Sequence, residues 1–461
     1  WGKKLPDLSH YPPPAESLGW ASFNGPTQVL QEEYPAYGGM CFHEPCLKIT
    51  FPDGVRDVVL KFDSARQAAD DLIICLRDVY YPLRVELHYR THPAYDLIER
   101  WVEIFNEGNQ AFTLERVFST QWHLPPDAQY HLTHLTGRWN DEFQIVREPL
   151  TSGTKVLESR RITSSHHHNP WFRLDDGRAT ETQGPVWFGA LAWSGNWKLA
   201  AEVTNFGTTR LSLGINDWDF AWRLNGGENF VTPPALAGYT EGGYGAASRK
   251  LHDFIREQVL PHGPISHKVL YNSWEATLFD VDLESQSRLA EIAAGLGVEL
   301  FVMDDGWFNG RKNDAAGLGD WWPDPHKFPQ GLQPLIQHVN NLGMEFGLWI
   351  EPEMVNPDSQ LYRAHPDWIL HFPTRPPSLG RNQCILNLAR LDVQEYLLET
   401  IDRLLSENNI AFIKWDMNRN VSEPGWPDAP ADPREVWVRY VQGLYRIWGE
   451  LRQRHPQVIW Q

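Results

Sequence analysis

The residues best suited to chemistry in this sequence lie in the segment IKWDMN, residues 413–418. Side chains alternate along a strand, so Lys414 and Asp416 share one face while Ile413 and Trp415 share the other. An ammonium beside a carboxylate keeps the acid ionised, and an ionised carboxylate can attack the anomeric carbon of a sugar. The segment therefore predicts Asp416 as a nucleophile. The competing interpretation is an internal ion pair that braces the fold.

Two adjacent carboxylates form a second candidate. Asp304 and Asp305 follow an apolar run and precede Gly306, which permits a tight turn. Carboxylates accept hydrogen bonds from sugar hydroxyls, so the pair could hold two hydroxyls at once. The alternatives are a turn or capping role and a site for Mg²⁺ or Mn²⁺. We expect no metal here, because the sequence offers no clear third ligand.

Further candidates stand in the segments GLWIEPEM and GRNQ. The indole of Trp349 could stack on a sugar ring, or it could fill the core. Glu351 and Glu353 follow it, and the sequence assigns a chemical role to neither. Arg381 could bind a sugar hydroxyl, steady a carboxylate, or lie on the surface as most loop arginines do.

The elements that position these residues alternate after residue 264. Apolar runs alternate with amphipathic helical segments, which predicts a parallel sheet covered by helices or closed into a barrel. The runs are KVLYNSW (268–274), LFVMDD (300–305), EFGLWIE (345–351), QCILNLA (383–389), AFIKWD (411–416) and a final VIW (458–460). Polar residues cluster where these strands end, and barrel enzymes assemble their sites at that end. We therefore predict a (β/α)8 barrel over residues 264–461, incomplete because the chain stops near the sixth strand.

The first half predicts a different architecture. Residues 1–246 show short alternating runs between turn signals, which is typical of an antiparallel β-sandwich. The segment Glu107–Gln110 lies between two such runs and predicts a hairpin loop. A helical pattern then begins, so residues 247–263 are predicted to be a connecting helix and linker. The run His166–His168 predicts a polar loop rather than a metal site.

Composition limits the partners of the chain. Its 461 residues favour two domains. A formal charge of −18 would repel nucleic acids and anionic membranes, and no stretch approaches the ~20 apolar residues of a membrane helix. The four cysteines are irregularly spaced, which favours reduced structural thiols over a zinc site or a disulfide framework. The 22 tryptophans fit either sugar stacking or a large sandwich core.

Taken together, these segments resemble the bacterial α-galactosidases of glycoside hydrolase family 36. The ordered motifs are YNSWEAT, LFVMDDGWF, LGDWWPDPHKFPQGL, FGLWIEPEMVNPDS, GRNQ and IKWDMNR, preceded by EEYPAYG, GRWNDEF and ESRRITSSHHHNPW. The resemblance implies a retaining enzyme that removes terminal α-galactose from oligosaccharides such as melibiose and raffinose. It also implies that no cofactor is needed and that the protein is a cytoplasmic bacterial homo-oligomer, often a tetramer.

Carried onto matching positions, the resemblance makes Asp416 the nucleophile. Lys414 and Asn418 would flank it and contact the sugar, while Asp304 and Asp305 would hold galactose hydroxyls. The resemblance also implies further pocket residues, namely Trp274, Trp349 and Arg381.

Three departures from the family pattern qualify these expectations. The family acid/base is an aspartate in a glycine-rich loop after the sixth strand, and we expect it to lie beyond Gln461, so this chain alone should be nearly inactive. Cys41 and His43 stand where many members have Asp and Arg, which affects any sugar contact from the first domain. Asn387 replaces a common Asp.

Other functions remain open at this point. Within the family, the alternatives are a raffinose-type transglycosidase and an α-N-acetylgalactosaminidase. Outside it, a non-catalytic carbohydrate-binding protein would not need both Lys414 and Asp416. A metal-dependent barrel enzyme would use Asp304 and Asp305 and would be sensitive to chelators.

Overall fold

The computed structural model describes residues 31–39, 41–126, 128–260 and 267–461. By their internal contacts the residues fall into two units, Trp1–Pro264 and Ile265–Gln461. The end of the linker predicted over residues 247–263 lies outside the described residues, from residue 261 onwards.

Two antiparallel sheets make up the first unit. Its strands are β1 (Leu47–Thr50), β2 (Leu60–Ala68), β3 (Asp71–Asp78), β4 (Leu83–His92), β5 (Leu97–Asn106), β6 (Phe112–His123), β7 (His131–Arg138), β8 (Asp141–Pro149), β9 (Gly153–Glu158), β10 (Trp171–Asp175), β11 (Val186–Leu191), β12 (Trp197–Val203), β13 (Thr209–Ile215), β14 (Trp222–Leu224), β15 (Asn229–Val231) and β16 (Ala235–Thr240). One sheet has the order β1-β6-β13-β12-β9, with β14 also on β6. The other has the order β2-β3-β4-β5-β16-β11-β10-β7-β8, with β15 also on β5.

Alternating burial on β5 shows where the core of the first unit lies. Arg100, Val102 and Ile104 are each 0% exposed, while the residues between them are only partly buried. Arg100 donates a hydrogen bond of 3.0 Å to the carbonyl of Gln121 on β6, which belongs to the other sheet. The inner faces of both sheets therefore meet in one core, as the predicted antiparallel β-sandwich requires.

The predicted hairpin at Glu107–Gln110 is wrong. Asn106 ends β5 and Phe112 begins β6, yet these strands belong to different sheets. The Asn106 side chain donates to the carbonyls of Gln110 at 2.8 Å and Leu224 at 3.0 Å, and so anchors a crossover. Turn-forming residues specify a reversal of the chain but not the sheet that the next strand joins.

The helix expected as a connector packs on the first unit. This helix, α1 (Gly243–Phe254), begins at Gly243 rather than at residue 247 and continues into a π-helical turn at Ile255–Val259. Leu251 and Phe254 lie in a buried cluster with Tyr95 and Phe188 of the first unit.

A parallel sheet forms the centre of the second unit. Its elements are β17 (Leu270–Asn272), α2 (Trp274–Thr277), α3 (Leu283–Gly295), β18 (Leu300–Met303), α4 (Gln333–Asn341), β19 (Glu345–Ile350), β20 (Met354–Val355), α5 (Gln360–Ala364), β21 (Cys384–Ile385), α6 (Leu391–Glu407), β22 (Phe412–Trp415), α7 (Val436–Arg454) and β23 (Ile459–Trp460). The sheet has five parallel strands in the order β17-β18-β19-β22-β23. Within the described range no pairing joins β17 to β23, so the barrel is incomplete, as predicted.

The assignment of residues 383–389 to the parallel sheet is wrong. Cys384–Ile385 instead pairs antiparallel with Met354–Val355, and Leu370 N–H donates to the Ile385 carbonyl at 2.9 Å. A short apolar run fits either a sheet strand or a loop hairpin, and periodicity does not distinguish them. Asp416 consequently follows the fourth parallel strand, and the chain ends on the fifth strand rather than near the sixth.

No described helix is both long enough and apolar enough to cross a membrane. All four cysteines are free thiols, and three of them are buried.

Candidate active site

The inner face of the parallel sheet changes from apolar to polar towards its C-terminal edge. Leu300, Val302 and Phe412 form a buried cluster on this face. Because side chains alternate, the same face carries Asp304 after β18, and Lys414 and then Asp416 on and after β22. Polar groups from separate strands therefore converge above an apolar floor.

Gly347 leaves room for the side chains of the two neighbouring strands to pack over β19 beneath the site. A Cβ at this position would lie 2.9 Å from Val302 Cγ2 and 3.1 Å from Phe412 Cδ1. Those distances are shorter than ordinary carbon–carbon contacts, so any larger residue would displace the Val302 and Phe412 side chains.

Three N–H groups hold the Asp416 carboxylate. Oδ2 accepts hydrogen bonds from Trp349 Nε1 at 3.0 Å and from Asn418 Nδ2 at 2.8 Å. Oδ1 accepts one from the Met417 backbone N–H at 2.9 Å. Asp416 is partly exposed, so the carboxylate is both oriented and accessible.

Lys414 pairs with a different aspartate from the one expected. Its Nζ lies 2.8 Å from Asp304 Oδ2, which also accepts from Asn272 Nδ2 at 2.6 Å. Lys414 therefore pairs with Asp304, whereas the sequence placed its ammonium beside Asp416. The Lys414 side chain lies along the inner face towards β18, the strand on the far side of β19, and Asp304 follows that strand.

Asp305 is bound by an arginine that the sequence did not indicate. Arg311 Nε and Nη2 donate to the two carboxylate oxygens at 2.9 and 2.8 Å, and neither side chain is more than 2% exposed. Burial raises the pKa of Asp305, and Arg311 opposes that rise. Arg311 also donates to Asn356 Oδ1 at 3.1 Å, and Asn356 donates to the Asn382 carbonyl at 2.8 Å. The buried pair Asp305–Arg311 thus anchors, through Asn356, the loop that carries the candidate residue Arg381.

That neighbouring residue, Arg381, adopts a left-handed backbone. Its φ is 52° and that of Asn382 is 60°, a conformation that costs energy and persists only where surrounding contacts offset that cost. The guanidinium carbon of Arg381 lies 5.8 Å from the ring centre of Trp274, which is half-buried. These two candidates therefore contact each other, as a cation–π pair.

Trp349 belongs to the core rather than to an open stacking platform. It is 1% exposed, and its ring stacks against Phe308 with centroids 6.2 Å apart. Trp307 Nε1 donates to the Trp349 carbonyl at 2.9 Å. Of the two interpretations of Trp349, the core residue is therefore correct, and its N–H is the group that reaches the site.

Glu351 supports the site from behind. Its Oε1 accepts from the Asn418 backbone N–H and, at 2.8 Å, from Gln383 Nε2, and it is 0% exposed. Burial raises the pKa of Glu351 to about 7, and the charge of nearby Asp416 adds to the rise. Glu351 thereby positions Asn418, which in turn holds Asp416.

Both halves of the chain match models of known families. Residues 1–225 match the N-terminal domain of glycosyl hydrolase family 36, and residues 229–461 match the melibiase family. The chain belongs to glycosyl hydrolase family 36.

Named family 36 relatives are similar along nearly the whole chain. α-Galactosidase AgaA of Geobacillus stearothermophilus is 40% identical over 456 residues, which cover 94% of this chain and 62% of AgaA. α-Galactosidase Mel36A of Lactobacillus acidophilus is 36% identical over 454 residues, which cover 94% of this chain and 62% of Mel36A. The chain thus spans less than two thirds of the length of these relatives.

The fold agrees with solved family 36 structures. The crystal structure of AgaA superimposes with a TM-score of 0.93 at 37% identity, covering 100% of this chain and 68% of AgaA. Variants of AgaA have been crystallised with raffinose and with stachyose.

The three residues that depart from the family 36 pattern, His43, Cys41 and Asn387, are each at least partly buried. His43 lies 3.1 Å from Glu202 within the first unit, and Cys41 is partly buried. Asn387 is 2% exposed, and its Oδ1 accepts from the Ala389 N–H at 3.1 Å.

Sequence reasoning missed Arg311 and gave Glu351 no role. The signal for Glu351 was present, because it continues the alternation of Gly347 and Trp349 along β19 towards the inner face. Arg311 lies in the loop after Gly306, where no periodicity applies. Gly306 itself has a φ of 106°, as the predicted tight turn requires.

Proposed function

We propose that this chain supplies the nucleophile and the sugar contacts of a retaining α-galactosidase that acts on α-galactosides such as melibiose and raffinose. The observation that carries the proposal is the accessible Asp416 carboxylate, held by three N–H donors at the C-terminal edge of the parallel sheet. The activity named for AgaA and Mel36A supports the choice of substrate class.

The reaction proceeds through a covalent intermediate in two steps. First, an Asp416 oxygen bonds to C1 of galactose as the glycosidic C1–O bond breaks, and the departing oxygen takes a proton from a general acid. Water then attacks C1 and gives its proton to the group that served as the acid, the ester bond breaks, and Asp416 returns as a carboxylate. Oδ2 already accepts two hydrogen bonds whereas Oδ1 accepts one, so we assign Oδ1 as the attacking atom.

The remaining site residues bind the sugar hydroxyls. Asp304 and Lys414 offer an acceptor and a donor side by side at the edge of the sheet. Arg381 and Trp274 form a second edge of the pocket. Asp305, whose two oxygens accept from Arg311, would position this edge through the Arg311–Asn356 contacts.

Glu351 does not act as the general acid in this proposal. Its pKa of about 7 would suit that role, but at 0% exposure it cannot reach a leaving group. The acid must come from outside the described carboxylates that surround Asp416. This chain alone should therefore act on sugars whose leaving groups need no proton, and only slowly on ordinary α-galactosides.

A mechanism-based label tests the nucleophile without requiring the acid. A 5-fluoro-α-galactosyl fluoride loses fluoride unaided and forms a long-lived glycosyl ester. Trypsin would release the labelled ester on the peptide 415–419, in which Asp416 is the sole acidic side chain. Labelling should disappear in Asp416→Asn and persist in Asp392→Asn, an exposed control. A label elsewhere, or none on correctly folded protein, would contradict the proposal.

The assembly we propose is a homo-oligomer in the bacterial cytoplasm, with the family tetramer as the simplest form. Sedimentation velocity at micromolar concentration tests the assembly. A single monomeric species would contradict it without affecting the assignment of Asp416.

A further inference from the structure

Two glutamates face each other on neighbouring strands of the first unit, outside the candidate active site. Glu86 on β4 pairs in register with Glu103 on β5, and like charges directly opposite each other destabilise a sheet. His88 follows two residues after Glu86 and so lies on the same face. Glu86 and His88 are each only 7% exposed. Water therefore screens the repulsion between the glutamates poorly, although Arg84 and Arg66 pair with Glu86 and offset part of it.

The imidazole of His88 points at both carboxylates. Its Nε2 lies 3.4 Å from Glu86 Oε2 and 3.5 Å from Glu103 Oε1. The His88 side chain is 8% exposed, and Nε2 has no hydrogen-bond partner among the described residues. Charge-assisted hydrogen bonds would bring these atoms to about 2.7–2.9 Å. The imidazole nitrogen and the two carboxylate oxygens are thus too far apart for strong hydrogen bonds, and all three face the same space.

The spacing matches the ligands of a tetrahedral metal ion. Zinc bonds of about 2.0–2.2 Å to nitrogen or oxygen place neighbouring ligand atoms about 3.3–3.6 Å apart. The distances of 3.4 and 3.5 Å fall in this range, and all three ligand atoms lie within 4.8 Å of one another. One imidazole and two carboxylates suit a three-ligand zinc site whose fourth position takes water.

The surroundings leave the ligand atoms available. Arg84 donates to Glu86 Oε1, the oxygen that does not face His88. Arg66 lies 3.4 Å from Oε2, but its side chain is 69% exposed and can withdraw at little cost. The Trp101 ring stacks on His88 with centroids 4.7 Å apart, which fixes the imidazole and shields the site.

We propose that Glu86, His88 and Glu103 bind one zinc ion that fastens β4 to β5. The ion neutralises the facing carboxylates and gives the buried imidazole nitrogen a partner. The sequence could not indicate this site, because its ligands come together only through the register of two strands. The proposed zinc site is separate from Asp304 and Asp305, where the sequence led us to expect no metal.

Metal retention tests the proposal on the 461-residue chain. The protein is stripped with a chelator, equilibrated by dialysis at fixed free Zn²⁺, and analysed for bound zinc by mass spectrometry. We expect one zinc per chain, and at least tenfold weaker binding in His88→Gln and Glu103→Gln. His92→Gln is the matched control, because His92 lies 3.1 Å from a single carboxylate, Glu99, on the same two strands.

Cobalt provides a second readout that does not depend on stoichiometry. Co²⁺ in a tetrahedral site absorbs strongly in the visible, so the wild type and His92→Gln should show this band and His88→Gln should lose it. Circular dichroism checks that each variant is folded. Glu103→Gln is the variant that should disturb the fold least, because the Glu103 side chain is 24% exposed. Wild-type protein that retains no zinc would overturn the proposal. Equal binding by all variants would also overturn it, since the zinc would then lie elsewhere, as on His166–His168.

Discussion

The indole N–H of Trp349 donates a hydrogen bond of 3.0 Å to Oδ2 of Asp416. This contact joins the third strand of the parallel sheet to the residue that follows the fourth. Trp349 is itself held by stacking on Phe308 and by a hydrogen bond that Trp307 Nε1 donates to its backbone carbonyl. The orientation of the proposed nucleophile is therefore transmitted from the aromatic core below it.

Replacing Trp349 by Phe should remove this donor while keeping most of the buried ring. A hydrogen bond to a charged group contributes about 1.5–3 kcal/mol, so labelling of Asp416 should slow about ten- to hundredfold. The rate of ester formation from the fluoro sugar measures the change. Trp321→Phe is the matched control, since Trp321 lies in the same cluster and its Nε1 has no partner among the described residues. Equal rates in the two variants would show that the bond has no role in orienting Asp416.

Lys414→Met should weaken sugar binding more than it slows attack by Asp416. The change leaves buried Asp304 with one fewer donor, so affinity for galactose should fall about ten- to hundredfold. Calorimetric titration with galactose or 1-deoxygalactonojirimycin measures this loss, and exposed Lys312→Met serves as the control. If binding stayed constant while the labelling rate collapsed, Lys414 would be acting on Asp416 instead.

The pair Asp305–Arg311 should contribute far more to stability than a surface pair of similar geometry. Arg311→Met leaves an uncompensated buried carboxylate, which should lower the free energy of unfolding by about 3–5 kcal/mol. Arg363→Met breaks the pair with Asp358, also at 2.9 Å but with side chains 58% and 74% exposed, and should cost about 0–1 kcal/mol. Urea unfolding of both variants gives the comparison. Similar losses of unfolding free energy in the two variants would show that the buried pair Asp305–Arg311 contributes no more than the exposed pair.

Glu351→Gln should change how stability depends on pH. Burial raises the pKa of Glu351 from 4.5 to about 7, so the folded state holds this proton more tightly than the unfolded chain. Wild-type stability should then fall as pH rises from about 4.5 to about 7 and level off above that, a loss of about 3 kcal/mol from this group. The variant should lack that decline, whereas Glu399→Gln on the exposed face of α6 should retain it. Parallel wild-type and Glu351→Gln curves in urea between pH 4.5 and 8 would refute the assignment.

The outer edge of β17 should make this chain prone to aggregation. Val269 and Leu270 are 58% and 42% exposed beside a strand that pairs only with β18 in the described residues. Such an edge can pair with another chain, and a lysine there blocks pairing. Leu270→Lys should therefore reduce light scattering on warming, while Leu296→Lys, at an exposed leucine after α3, should not. No difference between the two would place the aggregating surface elsewhere.

Local pattern was enough to locate most of the candidate site. Apolar runs that end in Asp304, Trp349 and Asp416 predicted that these residues would gather at one edge of a parallel sheet, and they do. The alternation along β22 correctly placed Lys414 and Asp416 on one face. The run 383–389 misled, because a few apolar residues satisfy a loop hairpin as well as a sheet strand.

By itself, the sequence determined the two-part fold and the residues that reach the edge of the sheet, because both depend on periodicity and local order, and its ordered motifs gave the resemblance to family 36. Only the tertiary structure decided which charges meet. Lys414 pairs with Asp304, Arg311 with Asp305, and Trp349 with Asp416. Such pairs form between strands and loops distant in the chain, so strand order and register select them, and neither can be read from one segment alone.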